Sequence, residues 1–242
     1  ISPHSPSRPA HLQMGLVYDL RADYLAQGWS EEDAAEFDAD ATIDAIEKAL
    51  LALGHHVERV GNARRLCQRL AEGARWDMVF NIAEGTAGRS RESQVPALLD
   101  LFNIPYTFSD PLVCAVTLDK AVTKRILRDA GLPTPSFRVV HELDDIEALD
   151  LDLPLFIKPL AEGSGKGIDA QSRIDSREEL APACRRLLER FQQPVLVEEF
   201  LPGREFTVGI LGTGQRARVL GTMEVRVRDN AGGGIYSFLN KE

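Results

Sequence analysis

The stretch LPLFIKPLAEGSGKGI, Leu153–Ile168, decides how the rest of the chain is read. Its apolar start predicts a strand over Leu155–Lys158, closed by Pro159, which lacks the N–H that would continue a ladder. Phe156 and Lys158 are two residues apart and therefore share one face of that strand. A flat apolar surface and a cation are thus set side by side. Glu162-Gly-Ser-Gly-Lys-Gly167 follows, and its three glycines leave backbone N–H groups open to anionic oxygens without Cβ interference. A plain hairpin loop is the competing reading. A lysine delivered by an apolar strand argues against it, because a buried ammonium needs an anion. The string GSGKG also suggests a Walker loop, but that pattern needs Gly where Leu160 stands and Ser or Thr where Gly167 stands. It is excluded.

A second signal lies downstream in VLVEEFLPGREFTV, Val195–Val208. An apolar strand ends in Glu198 and Glu199, an aromatic and a Pro-Gly turn follow, and a new strand opens at Glu205. Backbone groups of Glu199 and Leu201 in such a hinge are placed to read the edge of a flat heterocycle. The carboxylates of Glu198 or Glu205 are placed to accept from sugar hydroxyls. A hairpin with solvated acids is the alternative.

Outward from these segments the pattern divides in two. Up to about Tyr106, strand and helix alternate: Gln13–Tyr18, a helix carrying Ile43, Ile46, Leu50 and Leu53 and ended by Gly54, His56–Val60, Arg64–Leu70, Trp76–Ile82, Val95–Leu101 and Ile104–Phe108. This predicts a parallel sheet covered by helices. Thr117–Ala130 reads as one helix with Val122, Ile126, Leu127 and Ala130 on its apolar face, stopped by Gly131 and Pro133. Beyond a boundary near Leu132–Pro135 the chain is rich in strands, with Val195–Glu199, Glu205–Leu211 and Arg218–Val225 added to the first. One long helix opens on the capping-box pattern Ser176-Arg-Glu-Glu179 and is expected to bury Leu180, Cys184, Leu187 and Phe191.

Composition narrows the function classes. The chain has 242 residues and a formal net charge of −9 with scattered bases, which argues against nucleic acid or an anionic membrane as main partner. No apolar run nears the ~18 residues of a membrane span. Residues 1–12 are rich in Pro and Ser and read as a flexible leader, and the chain opens on Ile1 rather than Met. Cys67, Cys114 and Cys184 form no CxxC pair or disulfide framework, so a reducing cytoplasm is the expected location.

The two segments together, with VFNIAEG (79–85), NIPYTFSDP (103–111), LDKAVTKRILRDAGLPTPSF (118–137) and GGGIYSFLNKE (232–242), resemble the ATP-grasp ligases, the D-alanine–D-alanine ligase branch in particular. The resemblance runs from about Met14 to the end of the chain. It implies an α/β and α+β ATP-grasp fold in three parts: an N-terminal parallel-sheet α/β domain over 13–109, a small central subdomain over 110–197, and the start of a C-terminal subdomain over 198–242. ATP-dependent joining of a carboxylate to an amine through an acyl phosphate is the activity it implies. Two alternatives stand beside that one: an ATP-grasp ligase for a different amino-acid or ester substrate, and an ATP-binding protein without turnover.

By the same resemblance Lys120 and Lys158 contact ATP phosphates, and Glu162, Gly163, Gly165 and Gly167 form the lid with Ser164 near substrate and phosphate. Phe156, Glu198, Glu199, Phe200 and Leu201 surround the adenine, and Glu205 is the ribose acid. Tyr236 and Lys241 belong to a mobile loop over the active site. Mg2+ is implied as cofactor, its ligands lying beyond the mobile loop, so no metal ligand is assigned between residues 1 and 242 and the chain is expected to be C-terminally incomplete and inactive alone. Implied partners are amino-acid-like small molecules of peptidoglycan-type metabolism, with no nucleic acid, no membrane, and a homodimer as an option. The chain departs from the family at Glu84, where a histidine is usual, in the Asp19–Tyr24 region, and at Glu242. Glu84 and Glu92 are therefore the substrate-contact candidates, with Arg89 and Arg91 nearby, and the substrate is expected to differ from two D-alanines.

Overall fold

The structure is a computed structural model that describes residues 11–226, so Tyr236, Lys241 and Glu242 lie outside the described residues. Two compact units divide between Thr123 and Lys124.

The first unit is built on the expected parallel sheet. β1 (Gln13–Val17) lies between β2 (His56–Gly61) and β3 (Met78–Asn81), in the order β2-β1-β3. Its helices are α1 (Arg21–Leu25), α2 (Asp40–Ala52), α3 (Ala63–Ala71), α4 (Gln94–Leu101) and α5 (Pro111–Leu118). Val17, Val60, Leu66, Leu70, Trp76, Val79, Leu99 and Ile104 make the core between sheet and helices. Ile43 and Leu50 of α2 are buried as the helical spacing requires, but Leu53 falls beyond the helix and is 69% exposed. Ile104–Phe108 is not a full strand. It touches β3 only at the Val79–Tyr106 bridge, where Val79 N–H donates to Pro105 and Thr107 N–H to Val79.

The helix expected over Thr117–Ala130 is two helices, α5 and α6 (Lys120–Asp129), broken at Asp119. Asp119 takes an extended backbone, and its Oδ1 accepts from the N–H groups of Ala121 and Val122 at 3.1 and 3.0 Å. An aspartate that caps a helix start cannot also continue the preceding helix. The buried face of α6 also differs from the apolar stripe. Ala121 and Lys124 are buried, whereas Ile126 is 50% exposed.

The second unit centres on an antiparallel sheet of order β4-β7-β5-β6: β4 (Phe137–Val140), β5 (Leu155–Pro159), β6 (Arg173–Ile174) and β7 (Val195–Glu199). The short β4 and β6 carry no signal in the sequence reading. β5 runs one residue past its expected end, with Pro159 opposite Val195. The helix α7 (Arg177–Phe191) starts on the expected Ser176/Glu179 capping box and packs Leu180, Cys184 and Leu187 against Leu155, Ile157, Val195 and Val197. Phe191 is only partly buried at the edge of that core. Alternation then turns Phe156, Lys158, Leu196 and Glu198 to the opposite face of the sheet. Finally β8 (Glu205–Leu211) and β9 (Arg218–Val225) pair as an antiparallel hairpin with a bulge at Gly209/Ile210.

Candidate functional site

A cavity of about 540 Å³ lies on the face of β5 and β7 away from α7. Phe156, Lys158, Gly165, Glu198, Glu199, Phe200, Leu201 and Glu205 line it together with Pro135, Ile168, Arg173, Pro202 and Gly203. Eight sequence candidates from two separate motifs thus converge on one space, as strand pairing of Phe156 with Glu198 requires. The rings of Phe156 and Phe200 stand 6.1 Å apart between centroids, tilted by 32°. They give the cavity an apolar wall suited to a flat ring. Arg173, which the sequence reading passes over, pairs with Asp175 and covers Phe200 with its guanidinium 4.8 Å from the ring centroid. Its signal is the register of β6 against Phe156, which no local motif carries.

Lys158 and Glu198 in the cavity wall belong to an arrangement of three charges, completed by Lys124 behind the wall. Glu198 is only 7% exposed, with Oε1 2.6 Å from Lys158 Nζ and Oε2 2.7 Å from Lys124 Nζ. Burial pushes the Glu198 carboxyl up, but the two lysines more than offset it and hold the group below the usual carboxylate range. Glu198 therefore stays ionised, and its side chain serves the lysines rather than standing open toward a sugar. Glu199 closes the other edge: its N–H donates to Ser136 C=O and its Oε2 accepts from Ser136 N–H, both at 3.0 Å.

The glycine loop sits on the end of β5. Ser164, Gly165 and Gly167 all have positive φ, of 49°, 79° and 71°. Gly163 continues the loop through its C=O, which accepts from Lys166 N–H at 2.9 Å. Lys166 is not solvated at the tip of this loop. Its Nζ is 2.7 Å from Glu162 Oε2 with both side chains about nine-tenths buried, and Gln193 donates to Glu162 Oε1 at 2.7 Å.

The remaining candidates belong to the first unit. Lys120 opens α6, directly after Asp119, which Arg89 meets at 2.9 Å. Asp19, 2% exposed, accepts from Tyr24 Oη at 2.5 Å on Oδ1 and from the N–H groups of Glu84 and Gly85 at 3.1 and 2.9 Å on Oδ2. The loop bearing Glu84 is thereby tied to the end of β1. Arg91 is buried, with its guanidinium 2.7 Å from the Glu36 carboxylate, whose side chain is buried too. Burial first, then Glu92 and Glu36, push Glu84 up to about 7, against the pull of Arg91. Burial likewise raises Glu92. Glu84 thus holds its proton well above the usual carboxylate range.

That shift fixes a sign. A carboxyl that holds its proton more tightly when folded stabilises the fold less as pH rises from the unfolded value near 4.5 to the folded value near 7. Glu84→Gln keeps the neutral form throughout. It is expected to match wild type near pH 4.5 and to exceed it at pH 8 by about 1–3 kcal/mol. Urea unfolding at both pH values measures the difference, and a Gln variant less stable than wild type at pH 8 contradicts the assigned shift.

Comparison with known proteins now bears on this geometry. Residues 126–242 match the family model described as the D-ala D-ala ligase C-terminus. The D-alanine–D-alanine ligase of Bordetella pertussis is 35% identical over 198 residues, covering 81% of this chain and 59% of that protein. The enzyme of that name from Novosphingobium aromaticivorans is 32% identical over 222 residues, covering 90% of this chain and 66% of that protein. The chain thus spans less than two thirds of either relative's length. Among solved structures, the VanG D-Ala:D-Ser ligase from Enterococcus faecalis superposes with a TM-score of 0.64 at 20% identity, covering 88% of this chain and 69% of the other.

A sheet face carrying a strand lysine, a glycine loop and an aromatic hinge around one cavity, in a chain with these neighbours, is the ATP-grasp ligase fold. Within that class, residues 126–242 match the D-ala D-ala ligase C-terminus and the chain is similar over most of its length to D-alanine–D-alanine ligases.

Proposed function

We propose that this chain binds ATP in the cavity of the second unit and serves a carboxylate–amine ligase. The observation that carries the reading is the cavity itself, with the Phe156 and Phe200 rings as an apolar wall and the Lys158 ammonium beside it. Adenine lies on the aromatic wall with its edge toward the backbone at Glu199–Leu201, and ribose lies near Glu205. The phosphates reach Lys158 under Glu162–Gly167, with Lys120 as a second phosphate ligand and Ser164 beside the substrate. The γ-phosphoryl group passes to a substrate carboxylate oxygen, giving ADP and an acyl phosphate. An amine nitrogen then attacks the acyl carbon and loses a proton, and inorganic phosphate leaves as the amide forms. Such chemistry asks for positioning and charge rather than a covalent nucleophile. The roles of Tyr236 and Lys241 in closing over the site are part of this proposal.

Mg2+ accompanies such transfers and neutralises charge between phosphates. Among the described residues no group of three or more His, Cys, Asp or Glu is placed to hold a metal ion, so no step is assigned through it. The proposal retains the three-part division at 109/110 and 197/198, a cytoplasmic setting consistent with three free cysteines, and a homodimer. No described helix is long and apolar enough to cross a membrane.

For the substrate, the proposal is a small amino-acid pair in peptidoglycan-type metabolism other than two D-alanines, one member presenting a cation near Glu84. The support is the acidic surround of Glu84, where an arriving ammonium drives the carboxyl to its ionised form. Calorimetric titration with ATP tests the nucleotide site, and absence of binding at millimolar ATP sinks the reading. Phosphate release across D- and L-amino-acid pairs tests the substrate. In a full-length version, D-alanine alone is expected to be a poor substrate that improves in Glu84→His, and efficient D-alanyl-D-alanine synthesis by the unmutated full-length protein contradicts it.

A further inference from the structure

No motif in the sequence singles out Lys124, yet it holds one of the most buried ammonium groups among the described residues. It is 8% exposed, donates to Thr134 Oγ1 at 2.8 Å, and stands 5.3 Å from the Phe137 ring centroid. Its Nζ meets Glu198 Oε2 while Lys158 meets Oε1, so one carboxylate serves two ammonium groups. Lys158 and Glu198 line the cavity; Lys124 does not.

Charge counting gives this arrangement a purpose. With Lys158 alone, Glu198 would neutralise it, and a phosphate could claim the lysine only by stranding a buried carboxylate without a cation. Stranding such a group is among the most unfavourable events in a protein interior. With Lys124 present, Glu198 keeps a partner whatever Lys158 does, and the cluster carries one surplus positive charge at the cavity wall.

We infer that Lys124 is a positioning residue for nucleotide phosphate: by holding Glu198, it releases Lys158 from that carboxylate to an incoming phosphate. The inference deepens the proposed ATP site and rests on it for the identity of the ligand. The exchange at Lys158 needs no proton transfer. One N–H···O contact to Glu198 Oε1 is replaced by one to a phosphate oxygen, while the contact from Lys124 to Oε2 persists.

Two measurements test it. In calorimetry with ATP, Lys124→Met is expected to weaken binding at least tenfold although the residue lies outside the cavity lining. Adding Glu198→Gln to Lys124→Met is expected to restore most of that loss, because the competing carboxylate is gone. A purely structural lysine would not be rescued by deleting its partner, and a double variant that binds more weakly than Lys124→Met overturns the inference. The second measurement needs no nucleotide: competitive labelling of amines with acetic anhydride, read by peptide mass spectrometry. Lys158 is expected to react more slowly in Lys124→Met, where Glu198 is its alone, and faster in Glu198→Gln. Thr134→Val, which loosens Lys124 without removing its charge, is expected to act in the direction of Lys124→Met and more weakly. A Lys158 labelling rate unchanged by Lys124→Met overturns the inference. Absence of ATP binding by the wild type would overturn the proposed function instead, and the labelling comparison would still decide whether Lys124 governs Lys158.

Discussion

Lys158→Ala is expected to weaken ATP binding by about 10- to 100-fold, the range of a charge-assisted contact worth about 1.5–3 kcal/mol. The residue is placed for such an effect. It projects from β5 beside the aromatic wall, with its ammonium 5.7 Å from the Phe156 ring centroid and about one fifth of the side chain exposed at the cavity. Removing it leaves Glu198 with Lys124 only, so some loss of stability accompanies the loss of affinity. Lys166→Ala is the informative partner. Lys166 is nearly as buried as a core residue, but Glu162 already takes its charge at 2.7 Å. Its removal is therefore expected to loosen the glycine loop more than to weaken the nucleotide directly. Calorimetry on both variants separates the cases. Equal losses of affinity would move the main phosphate contact away from Lys158, and an unaffected Lys158→Ala would remove the phosphate end of the cavity altogether.

The reason Lys158 was legible in the sequence, and Lys124 was not, is a matter of which interactions leave a local trace. Lys158 follows an apolar strand and precedes a proline and a glycine loop, so its neighbours along the chain already announce an unusual lysine. The alternation that sends Leu155 and Ile157 to α7 also sends Phe156 and Lys158 to the cavity. Lys124 sits in a helix whose apolar residues suggest a different buried face. Only the pairing of β4, β7 and β5 brings Glu198 within 2.7 Å of it. Tertiary pairing of this kind outweighs helical periodicity and has no signature in spacing. The break at Asp119 was hidden for a related reason. An aspartate inside a long apolar-periodic run reads as one more helical residue until its carboxylate is seen capping Ala121 and Val122. The burial of Arg91 leaves no local trace either, because the buried Glu36 side chain that accounts for it lies 55 positions away. What propensity and alternation dictate locally was readable: the parallel sheet, the capped α7, the strand lysine and the hinge. What depends on a distant counter-charge was not.

Gly167→Ala is expected to destabilise the protein by roughly 2–5 kcal/mol, from left-handed backbone strain of about 1–2 and overpacking of about 1–3. Gly167 has φ of +71°, and a Cβ there would stand 2.7 Å from both Pro159 Cγ and Phe191 Cε2. Neither neighbour is the free end of a flexible chain. Pro159 is fixed in β5 opposite Val195, and Phe191 packs at the end of α7 against the core. The loop is thus wedged between the strand that carries Lys158 and the helix that covers the sheet, so displacing it tilts the phosphate end of the cavity. Gly131 supplies the control, because its φ of +72° is the same and a Cβ there meets nothing within 4 Å. Gly131→Ala then reports backbone strain alone, about 1–2 kcal/mol. The excess loss in Gly167→Ala, read from urea unfolding of both variants, isolates the contact with the two rings. The same variant is also expected to weaken ATP binding, whereas Gly131→Ala is not. Equal destabilisation by the two substitutions would mean that the loop does not rest on Pro159 and Phe191. The cavity would then owe its shape to the strands alone.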